Sequence, residues 1–168
     1  MEEEVGKIEI VAEDLGTLTD DVTELMEQTG YPGMKVLEFA FDSDEENDYL
    51  PHKYTENCVV YTGTHDNDTV VGWLETAKPE DIQYAREYCN MPEDEPFHWG
   101  LIRTAYESKA NMAIVPMQDI LGLGKEARMN IPSTLGGNWV WRLDGNALTA
   151  ELADKLKSMS VNSGRLED

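Results

Sequence analysis

In three places a cluster of polar residues follows an apolar, β-branched run. Glu13-Asp14 follows Ile8–Ala12, His65-Asp66-Asn67 follows Cys58–Thr62, and Gln118-Asp119 follows Met112–Met117. Carboxylates at such positions can do glycosyl chemistry. That chemistry needs one carboxylic acid to protonate a leaving oxygen, and a carboxylate to stabilise or trap an oxocarbenium-like transition state. Glu13 and Asp66 are the candidates, because a barrel aims the C-terminal ends of its strands into one cleft. The competing structural reading is that each caps the following helix or pairs within a loop.

Other chemistries find weaker support. Gly122-Leu123-Gly124-Lys125-Glu126-Ala127 fits a dinucleotide fingerprint with Asp144 downstream. Pro132 nevertheless cuts short the helix that must back such glycines, and no strand precedes the acid. The acidic run Asp42–Asp48 has Asn47 where a calcium loop needs glycine and Lys53 where it needs glutamate, so it reads as a solvated loop. His52, His65 and His98 lack zinc spacing, and no nucleophile elbow is present.

The elements that must position the carboxylates are legible in outline. Ile8–Ala12, Met34–Phe41, Cys58–Thr62 and Met112–Met117 are predicted strands. Helices are expected from Thr19 to Gly30, over 79–90 and 97–110, and from Thr149 to about Met159. The connections are long or helical, as parallel neighbours require. The fold class is therefore α/β with parallel βα units. Residues 160–168 are expected to form a disordered tail.

Composition sets the outer limits. The 168 residues include 34 Asp and Glu against 13 Lys and Arg, a net charge of −21. No basic stripe exists for nucleic acid, and an anionic membrane would repel the chain. No apolar run approaches the ~20 residues that span a bilayer. Two cysteines, Cys58 and Cys89, form no disulfide framework, and the start Met1-Glu2-Glu3-Glu4 is unlike a signal peptide, so a cytoplasmic location is expected.

Taken together, six ordered motifs resemble a known family. They are Ile10–Gly16, Pro32–Phe41, Thr62–Thr69, Pro116–Gly124, Ala127–Asn130 and Gly137–Arg142. They are similar to amylomaltase, the 4-α-glucanotransferase or disproportionating-enzyme family of the α-amylase clan. The resemblance implies the C-terminal half, strands five to eight, of a TIM (β/α)8 barrel, occupying residues 1–159. It implies Glu13 as general acid/base and Asp66 as the transition-state-stabilising aspartate. It further implies His65 as a sugar-hydroxyl ligand, with Phe39, Gln118 and Asn130 lining a cleft for α-1,4-glucans. No metal or organic cofactor is implied.

The family's nucleophilic aspartate lies in an Arg-x-Asp motif upstream of these elements, and Arg142-Leu143-Asp144 is not that motif. The isolated chain is thus expected to be inactive, with the half barrel's open edges inviting a homo-oligomer. A non-catalytic glucan-binding module is the competing function; the presence of Glu13, which binding alone does not need, argues against it.

Overall fold

The computed structural model describes residues 8–16, 18–42 and 47–166. Its centre is a three-stranded parallel sheet of β1 (Gly33–Val36), β2 (Cys58–Tyr61) and β3 (Met112–Ile114), in that spatial order. Met34, Val59 and Met112 stand in one register row, as do Val36, Tyr61 and Ile114. These rows share one face. Lys35, Val60 and Ala113 occupy the other.

The two faces are covered differently. Behind Val60 lies the main core, built from Leu37, Phe41, Leu50, Val70, Phe97 and Leu101. Its helices are α2 (Val70–Thr76), α3 (Pro79–Tyr88) and α4 (Phe97–Glu107). On the opposite face Val59 is buried, but Met112 and Ile114 are 49 % and 42 % exposed. A second core joins Trp99, Ile102 and Ile120 to Leu152, Leu156 and Met159. It packs the short α5 (Met117–Ile120) and the final α6 (Ala150–Asn162) onto α4.

Several sequence expectations are met. Helix α1 (Asp20–Thr29) begins after Thr19 and ends at Gly30, whose φ of 66° is the left-handed conformation that stops a helix. Its apolar stripe is not buried, however: Val22 and Leu25 are exposed. Helices α3 and α4 fall within the stretches expected of them, and α6 starts where expected, just after Thr149.

Others need correction. Ile8–Ala12 is not a strand. It makes one backbone bond to the segment before β1, from the Ala12 N–H to the Pro32 carbonyl (2.9 Å), and Ile8 and Val11 stay exposed, so no ladder forms. The strand expected over Met34–Phe41 stops at Val36, where Leu37–Phe39 winds into a 3-10 turn. Likewise Met112–Met117 is strand only to Ile114, since Met117 opens α5.

Helix α2 was not anticipated, because Val-Val-Gly is a poor helix start. Tertiary contacts supply what propensity lacks. The Thr69 hydroxyl accepts from the Gly72 N–H (3.0 Å), and the Asp119 carboxylate accepts from the Val70 N–H (2.8 Å).

The tail is also ordered further than expected. α6 runs to Asn162, and Arg165 donates to the carbonyls of Tyr106 (2.7 Å), Ser108 (3.1 Å) and Ala110 (2.8 Å). These are carbonyls at and beyond the C-terminal end of α4, which need donors and attract a cation. Residues 167–168 lie outside the described residues.

Candidate active site

The C-terminal ends of the three strands open onto one hollow of about 760 Å³. Glu13, Phe39, His65, Asp66 and Gln118 all border it, with Met34, Tyr61 and Ile114 of the sheet face as its apolar floor. Asn130 does not border it but binds Asp66. The six residues singled out from the sequence therefore gather at one place, although they are spread over more than a hundred positions. Its size falls within the roughly 300–1,000 Å³ usual for small-molecule sites.

Asp66 stands on a braced turn. The Asn67 side-chain oxygen accepts from both the N–H (2.8 Å) and the hydroxyl (2.7 Å) of Thr64, and the Asn67 N–H donates back to the Thr64 carbonyl (3.2 Å). Asn130 Nδ2 donates to Asp66 Oδ1 at 2.6 Å, and its backbone N–H donates to the His65 carbonyl at 3.1 Å. His65 Nε2 lies 3.4 Å from the same Asp66 oxygen.

Arg128 ties the turn to the segment beyond α5. It donates to the carbonyls of Asp66 (2.7 Å) and Asn130 (2.9 Å), and lies 3.6 Å from Asp68 Oδ2. The imidazole and carboxylate are thus held at the rim with their outer sides exposed, free to meet a ligand.

Trp139 closes one side. Its ring lies 5.1 Å from that of His65 at 39°, and its backbone N–H donates to the Met129 carbonyl (2.8 Å). It adopts a φ of 61°, a conformation rare for a bulky residue and one that clusters at functional sites. An exposed indole beside an imidazole offers an apolar face with polar groups at its edge.

Glu13 is held more lightly. Its neighbour Asp14 accepts from the Met34 N–H (2.6 Å), and the Gly16 N–H reaches the Tyr49 hydroxyl at 3.4 Å. Phe39 projects from the 3-10 turn after β1, edge-on to Tyr49 at 5.3 Å. Gln118, buried, donates to the Ala127 carbonyl (3.2 Å), fixing the wall behind the hollow.

Beneath the turn lies a feature the sequence reading missed. Glu38 and Asp119 are 5 % and 1 % exposed. Asp119 accepts from the Thr62 hydroxyl (2.5 Å) as well as from Val70, yet burial still raises its pKa above the usual carboxylate range. Burial, with Asp119 and Asp68 nearby, pushes Glu38 up to about 9. Only the alternation of Leu37-Glu38-Phe39 within an apolar run hinted at an inward-facing acid.

The alternative motifs find no structural support. Lys125–Ala127 is a single 3-10 turn, not the helix a dinucleotide fingerprint needs behind its glycines. The acidic run Asp42–Asp48 falls partly outside the described residues, at 43–46. Among the described residues, no cluster of three His, Cys, Asp or Glu side chains is arranged to hold a metal ion.

With this geometry in view, comparison with known proteins is decisive. The profile of the 4-alpha-glucanotransferase family matches residues 1–149. The chain belongs to this family. It is 52 % identical over 168 residues to a 4-alpha-glucanotransferase of Clostridium butyricum, covering 99 % of the chain and 34 % of the relative. It is 51 % identical over 166 residues to a chloroplastic/amyloplastic 4-alpha-glucanotransferase of Solanum tuberosum, covering 96 % of the chain and 29 % of the relative.

A solved amylomaltase from Streptococcus agalactiae, in complex with acarbose, superposes with a TM-score of 0.94 at 38 % identity. That match covers 99 % of this chain and 34 % of the amylomaltase. The chain thus spans about a third of the length of the relatives it matches, and shares with them an α/β fold containing a small parallel sheet.

Proposed function

We propose that this chain is part of a 4-alpha-glucanotransferase that moves α-1,4-glucan segments between maltooligosaccharides by a retaining double displacement. In this reading β1 to β3 and the extended segment before them are strands five to eight of a (β/α)8 barrel. Glu13 protonates the departing O4 of the donor and later takes the proton from the acceptor's 4-hydroxyl. Asp66 and His65 bind hydroxyls of the sugar being transferred, and Trp139, Phe39 and Gln118 border its path.

The nucleophilic carboxylate comes from the part of the family's length that this chain does not span, about 5 Å from Glu13 as retention requires. Such chemistry on carboxylates needs no metal or organic cofactor. The buried, unpaired Cys58 and Cys89 are consistent with a cytoplasmic setting.

The observation that carries the reading is that Glu13, His65 and Asp66 border a single sugar-sized hollow. It is tested with maltotriose and acarbose. The 168-residue chain alone is expected to bind acarbose measurably and to release no glucose from maltotriose, because losing one member of a catalytic set removes nearly all rate. Turnover by the pure chain would show that a carboxylate within it is the nucleophile. Absence of any acarbose binding would remove the glucan reading for the isolated chain. Light scattering on the same samples is expected to show a dimer, since β3 is an edge strand and Met112 and Ile114 on it are exposed; a monomer would refute that part.

A further inference from the structure

The mechanism above leaves one buried acid unused. Glu38 sits at the C-terminal end of β1, its backbone N–H donating to the Thr62 carbonyl at 3.1 Å and its side chain directed under the turn that follows β2. Its Oε1 has no hydrogen-bond partner. A Cβ built on Gly63 would stand 2.8 Å from that oxygen and 3.3 Å from Cβ of Asn67. The carboxyl therefore occupies the space a side chain at position 63 would take. Gly63 is bare because Glu38 is there, and Asn67, which closes the turn on Thr64, rests beside the same spot.

An unpartnered polar atom in the interior is destabilising, so its retention asks for a reason. Core packing alone does not supply one, because a leucine or methionine would fill the space without that cost.

We propose that Glu38 is a positioning residue for the reaction: its buried carboxyl supports Gly63 and Asn67 from beneath and so sets where His65 and Asp66 stand in the hollow. The inference rests on the glucan-transfer reading for its functional meaning, but the contact itself does not. Three charged groups face Glu38 from the elements packed around it. They are Asp119 on α5, Asp68 after β2, and Arg128 beyond the Lys125–Ala127 turn. Two of the three are acids, and burial disfavours charge, so the carboxyl stays protonated until about pH 9. Ionisation would then place a second buried anion against Asp119 and force the Gly63–Asn67 turn to give.

The test follows backbone amide resonances and acarbose binding in the 168-residue chain across pH, for wild type, Glu38→Gln and Glu38→Asp. In the wild type the amides of Gly63, Asp66 and Asn67 should shift together with a midpoint near 9. Glu38→Gln, neutral at every pH and the same shape, should abolish that shared shift and the loss of acarbose affinity that accompanies it. Glu38→Asp, one methylene short, should bind about tenfold more weakly at pH 7 while remaining folded, because small misplacements at such sites are costly.

Amide shifts unchanged by Glu38→Gln would overturn the proposal. So would wild-type affinity in Glu38→Asp. If the wild type does not bind acarbose, the glucan reading fails, while the amide titration still decides whether Glu38 controls the turn.

Discussion

The two carboxylates at the rim of the hollow, Asp66 and Glu13, are held by very different means. Asp66 stands on a turn tied internally by Asn67, clamped by Arg128 and Asn130, supported from beneath by Glu38, and rooted in β2, whose Val59 and Val60 are buried on both faces. Glu13 lies on an extended segment with one backbone bond to the chain before β1, a side-chain anchor through Asp14, a long bond from the Gly16 N–H to the Tyr49 hydroxyl, and a helix beyond it whose Val22 and Leu25 are exposed. One site residue is supported by this chain's own core. The other is delivered to the hollow by a segment at the margin of the fold. In a family whose members are about three times as long, rigidity at the Asp66 end is local, whereas rigidity at the Glu13 end depends on neighbours.

Leu101→Ala removes a fully buried side chain from the core under β2 and α2. It is expected to cost about 2–5 kcal/mol in urea unfolding. Amide exchange in β2 should quicken to match, while exchange over residues 8–16, which have few backbone bonds and little burial, should stay as it was. Equal acceleration in both regions would show that they unfold as one unit.

Arg128→Ala, which strips two carbonyl contacts and the ion pair with Asp68, should cost about 1–3 kcal/mol and loosen the amides of His65 to Asn67 without reaching Met34. The smallest effect is expected from Asp14→Ala: about 1 kcal/mol or less, with faster exchange at the Met34 amide as its local signature. A larger loss there would mean that the Glu13 segment is anchored by more than the contacts seen.

What was legible beforehand follows from where the information is local. Helix α1 was readable because Thr19 and Gly30 are its own punctuation, and α4 because its apolar face repeats at helical spacing. The ends of the strands were misplaced because what stops them is not local. β1 ends where Glu38 turns inward beneath Gly63, twenty-five positions along the chain, and β3 ends where Asp119 must reach the start of α2. Helix α2 escaped notice for the same reason, its first N–H being satisfied by an acid forty-nine residues away. Arg165 reads as part of a loose tail because its partners, carbonyls at and beyond the end of α4, come within reach only once α6 has packed.

Read without a structure, the residues offer a glutamate and a histidine–aspartate pair after apolar runs as candidate groups, and a set of ordered motifs that resemble one family. Side-chain chemistry and the alternation of apolar residues are properties of a linear chain, so they survive being read without a structure. Folding alone fixes how firmly each group is held, which glycine has to stay bare, and that the acid buried in the turn after β1 carries its proton near neutrality. Those outcomes depend on the distance between residues far apart in the chain and on the exclusion of water around them, and neither exists until the chain has folded.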